Sequence, residues 1–521
     1  MSNAPPELRT EPPPPTRGAA WTGMVLLIAC SAQFMVVLDV AIVNMALPDM
    51  KASLGLSAAG QQWIVNAYTL AFAGLLLLGG RAADLVGARR TFLAGLSTFT
   101  AASLACGLAD NGATLIAARA VQGIGGAVLA PATLTLIMTT FTEPRARARA
   151  MGAWSSVNGV GGAAGSVIGG LLTEYSSWRW VFYVNIPIGI AILTAALLHA
   201  PAVPAASATA SASGASAGPA GPAGPAAPAG HGGRGGLGRL DLPGALSVTV
   251  GLTALVYGII STASSSWTSP HVWAALAVGI ALLAVFVVVE SKVAAPLVPL
   301  AVLRRRTLAI ANLVMIGLGS AMFAMWFLLS LYMQQVLGCS ALRTGLYFLP
   351  SCLAVVIGAR ISTHLVRRTG PRPLLVTGMG LSTFGFLWLS GITVGGSFAT
   401  GVAAPFVLCA LGLGLAMLPV TAAATAGVDR REAGLASGLV NTSRQVGGAL
   451  GLAILATIAS RTAGGSSSPG AQALTAGYGH AFLVAALFTA CAALGSLLLP
   501  GRPDQAGPGP AGPGPTPGGP R

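Results

Sequence analysis

Apolar residues in this chain come in long blocks separated by short charged or glycine-rich breaks. Fourteen blocks stand out, at about 21–48, 59–80, 90–108, 112–140, 149–173, 178–199, 241–262, 271–290, 307–336, 342–366, 373–392, 400–425, 434–459 and 478–500. A helix of about 20 mostly apolar residues crosses the hydrocarbon of a bilayer, so the pattern predicts an all-α polytopic membrane protein with fourteen transmembrane helices. The 112–140 block is long and contains Pro131, which predicts tilt or a kink. Three stretches interrupt the pattern. Residues 1–20, with PPELRTEPPPPTR, hold no apolar segment of the signal-peptide kind and are expected to be a disordered cytoplasmic tail. Residues 200–240, almost wholly Ala, Pro, Gly and Ser, predict a flexible linker, and 501–521 a second tail.

Composition narrows the class. Of 521 residues, 54% are hydrophobic and 8% are charged, with a mean hydropathy of +0.76. A soluble domain carries about 25% charged residues, so soluble enzymes, secreted modules and disordered scaffolds are excluded. The net charge is +15, but the basic residues sit in small clusters between apolar blocks rather than on one face. That distribution predicts no nucleic-acid partner and fits the charge bias of membrane topology. With both termini in the cytoplasm, 21 of the 28 Lys and Arg residues fall in inner loops and tails and four in outer loops. The remaining three, Arg119, Arg360 and Arg444, lie inside spans. The expected location is the cell membrane, multi-pass. The six cysteines suggest no disulfide framework, and no GxxxxGK[ST] phosphate loop supports an ATP-driven pump.

The 13 acids single out one position. All but Asp39 fall in tails or at span boundaries, whereas Asp39 is well inside the first span. A carboxylate within the membrane costs several kcal/mol and marks either a function or a structural ion pair. Asp39 lies nine residues, or about 13 Å, below the outer end of its span, and Arg119 in the fourth span about 10 Å below the same surface. Similar depth makes them a candidate pair for binding and releasing a proton.

Several motifs then resemble the major facilitator superfamily, and within it the fourteen-span drug:proton antiporters of the EmrB/QacA-like subfamily. They are LDVAIVNMALP (38–48), QQWIVNAYTLA (61–71), GRAADLVGARR (80–90), RAVQGIGGA (119–127), WRWVFYVNIPIG (178–189) and NTSRQVGGALG (441–451), in order on successive spans. The resemblance implies a six-helix bundle at 21–199, two extra spans at 241–292, a basic cytoplasmic loop at 293–306 and a second six-helix bundle at 307–500. It implies proton coupling through Asp39 and Arg119, and a gating loop between spans 2 and 3 built on Gly80, Asp84, Gly87, Arg89 and Arg90. Asp84 is expected to dock on the start of span 13 or on Arg430 and Arg431 when the cytoplasmic side closes. In span 5, the glycines Gly161, Gly165, Gly169 and Gly170 predict close helix packing. The usual Gly-Pro of the subfamily is replaced there by Gly165–Ser166.

Candidate substrate contacts are Gln33 and Asn44 in span 1, Asn66 and Tyr68 in span 2, Met322, Trp326 and Gln334 in span 9, and Arg444 in span 13. Arg444 is equally open to roles as a substrate contact, a second relay charge or structural glue. A single deep carboxylate favours neutral or monocationic apolar compounds, with anions remaining open beside Arg119 and Arg444. The expected function is drug:proton antiport by a monomer, with the proton gradient as energy source and with no cofactor, metal or catalytic residue. The alternative is proton-coupled transport of an endogenous metabolite on the same scaffold.

Overall fold

Backbone N–H and C=O groups cannot be left unpaired in hydrocarbon, so an apolar block of spanning length must close its hydrogen bonds within itself. Every predicted block is helical in the computed structural model, which describes residues 19–199, 241–293, 296–298, 305–426, 433–464 and 470–499. Most of the two tails, the 200–240 linker bar its neighbours, much of the 293–306 loop, and Arg430 with Arg431 lie outside these residues.

The first half contains α1 (Ala19–Ser53), α2 (Ala58–Val86), α3 (Ala88–Gly107), α4 (Gly112–Thr140) and α5 (Pro144–Tyr175). Its sixth block is split into a one-turn α6 (Trp180–Tyr183) and α7 (Asn185–His199). Then come α8 (Leu242–Ser261) and α9 (Pro270–Lys292). The second half is α10 (Arg306–Gln335), α11 (Ala341–Thr369), α12 (Pro371–Leu389), α13 (Ala403–Thr425, entered through a π turn), α14 (Ala433–Thr462) and α15 (Ala471–Ser496). Among the described residues, ten helical segments are long and apolar enough to cross a membrane. The helices α3, α5, α12 and α14 fall outside that set of ten. In α14 the run Asn441–Gln445 dilutes the apolar character, and in α5 the opening PRARARA does.

One local expectation is corrected. The stretch 80–90 is not an open loop: Gly80 and Asp84 belong to the last turns of α2, and α3 begins at Ala88. The whole reversal is made at Gly87, whose φ of +99° a side chain would resist. Good helix formers on both sides of that glycine let the helices run right up to it.

Small residues decide which helices touch. A Cβ on Gly165 would come within 2.7 Å of Ala41 Cβ and 2.9 Å of Leu38 O, and one on Gly169 within 2.9 Å of Ile42 O. Gly161 meets Val37 in the same way. The ladder therefore lays α5 directly on the stretch of α1 that carries Asp39. Gly170 turns to the other half and meets Ala341 O and Leu342. Ser166 is buried, its hydroxyl donates to Gly162 O at 3.0 Å, and its carbonyl abuts Gly345 of α11. The helix α5 runs unbroken through this position.

The bundle has a basic end, marked by Arg81, Arg89, Arg90, Arg367 and Arg368, and a far end. Among the described residues, three hydrogen bonds join the halves, each toward the far end. Ser330 Oγ donates to Asn44 O at 2.9 Å, Gln334 Nε2 to Met45 O at 3.3 Å, and the Leu342 N–H to Glu174 Oε2 at 3.0 Å. The pair α8–α9 sits on the flank where α2 faces α14: Gly74 of α2 abuts Thr249, and Arg461 Nη1 donates to Thr262 O at 3.1 Å. Much of its outer surface, including Tyr257, Val278, Ile280, Val285 and Val287, is exposed apolar area of the kind lipid covers.

Replacing Gly165 by Leu forces α1 and α5 apart. We expect a loss of about 1–3 kcal/mol, read as a lower midpoint of thermal unfolding of the purified protein in detergent. An unchanged midpoint would show that the helices do not depend on this contact.

Candidate functional site

The deepest charges of the first half meet. Asp39 on α1 is fully buried and Arg119 on α4 is 1% exposed, and Arg119 Nη1 donates to Asp39 Oδ2 at 2.6 Å. Neither charge stands alone with the other. Asp39 Oδ1 accepts from Gln122 Nε2 at 2.8 Å and from Asn185 Nδ2 at 3.0 Å. Arg119 Nη1 also donates to Gln122 Oε1 at 2.6 Å, and its Nε to Ile64 O at 3.2 Å. Gln122 Nε2 reaches Ser103 Oγ at 2.8 Å. The guanidinium carbon lies 4.4 Å from the centroid of the Tyr68 ring and 5.8 Å from that of Phe182, so aromatic faces cover what the hydrogen bonds leave open.

The local sequence explains the convergence. Arg119 and Gln122 are three apart, hence on one face of α4. The neighbouring glycines of RAVQGIGGA let α4 approach α2 and α3: Gly123 abuts the Tyr68 carbonyl and Gly125 lies against Phe99. Asn185 is the first residue of α7, at the break after α6, where the chain turns its amide inward. Burying two opposite charges together costs desolvation that only full hydrogen bonding offsets, and here both carboxylate oxygens are occupied. A proton reaching Asp39 would cancel the ion pair and leave Arg119 with neutral partners. The site therefore has two arrangements of different charge.

Gln122, Asn185 and Ser103 were not singled out from the sequence. Gln122 and Asn185 do lie inside two of the quoted motifs, and a carboxamide in a membrane span is costly enough to have flagged each.

The other candidates separate into groups. Tyr68 joins the ion pair, with its hydroxyl buried and unpartnered among the described residues. Asn66, two residues before it and so on a different face of α2, is buried with its amide unpartnered in the same sense. Gln33 Nε2 donates to Asn158 Oδ1 at 3.0 Å and ties α1 to α5. Asn44 and Gln334 belong to the far-end seam, Asn44 through its carbonyl and Gln334 through Met45 O and Ser330 Oγ. Met322 and Trp326 are half-buried on α10, with Trp326 stacked obliquely on Phe348 at 5.2 Å and reaching toward Gly162 of α5. Arg444 is half-buried on α14, far from Asp39 in the chain and on the opposite half. At the basic end Asp84 and Arg90 are exposed, Gly80 packs beside Pro131, and Arg89 Nη2 donates to Leu197 O at 2.9 Å.

Two helical halves hydrogen-bonded to each other toward the far end, with a buried ion pair in one of them, fit a multi-pass membrane transporter rather than an enzyme. The chain belongs to the Major Facilitator Superfamily, whose sequence pattern matches residues 29–452. It is 42% identical to the cephamycin export protein CmcT of Amycolatopsis lactamdurans over 95% of this chain and 97% of that one. It is 39% identical to the puromycin resistance protein pur8 of Streptomyces alboniger over 92% and 89% of the two chains. Among solved structures, a bacterial homolog of the human lysosomal transporter Spinster, inward-facing and unoccupied, superposes with a TM-score of 0.60. That match has 15% identity and covers 92% of this chain and 97% of the other.

Replacing Asp39 by Leu strands a buried guanidinium. The expected cost is about 3–5 kcal/mol, seen as a fall in thermal midpoint, and replacing Arg119 by Leu as well should return most of it. A single variant as stable as the native protein would mean that the pair does not hold the half together.

Proposed function

We propose that this protein exports an antibiotic-like apolar compound carrying at most one charge, in exchange for protons entering the cell. It would do so as a monomer in the cytoplasmic membrane, through fourteen spans of the EmrB/QacA-like type, with both termini in the cytoplasm and no cofactor. The observation that carries this reading is the Asp39–Arg119 ion pair, buried and hydrogen-bonded by Gln122 and Asn185. The printed activities of the relatives, cephamycin export and puromycin resistance, support the direction and the kind of cargo.

The cycle follows from charge. The hydrogen bonds between the halves lie at the far end, and this reading puts the cargo entrance at the basic, cytoplasmic end. Cargo enters there while Asp39 is ionised and paired. After the halves rock to expose the site outward, cargo leaves and a proton from outside neutralises Asp39. Arg119 then rests on Ile64 O, Gln122 and the Tyr68 ring, and the changed balance favours return. Release of the proton inside restores the pair. Asp84, exposed in this state, is placed by the same reading to meet the start of α14 when the basic end closes, so that it biases one conformation over the other.

The decisive experiment is Asp39→Asn in proteoliposomes loaded with puromycin and a pH gradient. The asparagine keeps the shape but cannot exchange a proton. Gradient-driven export should fall at least about tenfold, the equivalent of ~1.4 kcal/mol, while binding without a gradient persists. Undiminished gradient-driven export would remove the coupling role. Gradient-driven movement of an endogenous metabolite but not of puromycin, in the native protein, would favour the alternative of proton-coupled metabolite transport on the same scaffold.

A further inference from the structure

The charge available to a cargo inside this bundle is not the carboxylate. Both oxygens of Asp39 are taken by Arg119, Gln122 and Asn185, and the residue is fully buried. A monocation, the partner suggested by a lone deep acid, finds that acid already neutralised. Arg444 is in the opposite position. It lies near the middle of α14, its backbone pressed against Gly319 of α10. Its Nη2 and Nε both donate to one neutral acceptor, Asn441 Oδ1, at 2.8 and 3.3 Å. No Asp or Glu is within ion-pair distance of it among the described residues. The side chain is half-buried and keeps part of its surface accessible.

A guanidinium within a membrane protein that lacks a counter-ion is costly unless a ligand brings one. Its Nη1 donors and the second Nη2 donor remain for an acceptor, and a planar fork of this kind matches the two oxygens of a carboxylate or sulfonate. The surroundings suit an amphiphile. Trp326 lies seven residues beyond Gly319 on α10, a rise of about 10 Å toward the far end, and stacks with Phe348, which in turn meets Phe406 edge-on at 4.9 Å. Met322 lies between. Such soft and aromatic surfaces take varied flat apolar groups.

We propose that Arg444 is the anion-recognition residue of the cargo site, and that the preferred cargo is an amphiphilic organic acid. Its carboxylate or sulfonate sits on Arg444 and its apolar body extends along α10 toward Met322 and Trp326. This rests on the export reading above and adds the sign of the cargo's charge. It also assigns the two halves different work, with the proton handled in the first and the anion in the second.

The test uses two dyes of one skeleton, anilinonaphthalene sulfonate and its uncharged parent phenylnaphthylamine, with the full-length protein in nanodiscs and in proteoliposomes. In equilibrium binding, the native protein should hold the sulfonate at least about tenfold tighter than the parent, or ~1.4 kcal/mol. In Arg444→Gln that ratio should fall to near one, and Arg444→Lys, which keeps a charge without the fork, should regain part of it. A native ratio near one, or a ratio that survives Arg444→Gln, overturns the proposal. The native ratio decides by itself if the glutamine variant does not fold. Transport separates the two readings: a sulfonate preference with neither dye moved by a pH gradient would leave anion recognition standing and remove proton-driven export. Equal gradient-driven movement of both dyes, with equal binding, would do the reverse.

Discussion

A carboxylate and a guanidinium buried together in a bundle made mostly of aliphatic side chains constrain everything around them. In such surroundings each charge must be met at close range by partners of fixed geometry. Five helices of the first half contribute: α1 brings Asp39, α2 the Ile64 carbonyl and Tyr68, α3 Ser103, α4 Arg119 and Gln122, and α7 Asn185. Such convergence needs backbones closer than ordinary side chains allow. The glycines at 123 and 125 on α4, and at 161, 165 and 169 on α5, provide that closeness. The polar centre and the small-residue interfaces are two aspects of one requirement. Loosening the helices would unpair the charges, and removing the charges would leave buried polar groups without partners.

The same requirement makes the pair suited to switching. Under the proposed proton coupling, a carboxylate sealed from water would meet a proton only when the surrounding helices move, which would tie protonation to conformation. The second half has a different electrostatic character. Its interior charge, Arg444, rests on a neutral amide and keeps accessible surface, while Trp326 from the same half reaches across toward α5.

The pair α8–α9 is fastened to both halves, to α2 through the Gly74–Thr249 contact and to α14 through Arg461 and the Thr262 carbonyl. At its basic end, Asp241 caps α8 by accepting the Gly244 N–H at 2.9 Å, and Glu290 accepts the Val298 N–H at 3.1 Å. Both acids are buried there. The two helices therefore ride on the flank where α2 meets α14, and any rocking of the halves must be absorbed by them.

Block length and the near-absence of charge determined by themselves that the chain is a helical membrane bundle, because an apolar backbone in lipid has no other way to pair its polar groups. The isolation of Asp39 among the acids, and its depth match with Arg119, were likewise written in residue positions, since rise per residue converts sequence into depth. Only the tertiary structure decided what lies sideways at that depth. Gln122 and Asn185 complete the carboxylate's shell because α4 turns one face and the break before α7 turns one amide toward α1, and lateral orientation is not encoded by hydropathy. Gln33 bonds α5 and Gln334 the seam between the halves, while the Asn44 side chain bonds Val40 O within its own helix; the sequence does not display these neighbours, since a polar residue in a span looks the same whichever neighbour it meets. The sequence displays Asp39 and Arg444 alike as ions within spans, and packing alone gives the first an opposite charge while the second is half-buried on a neutral amide.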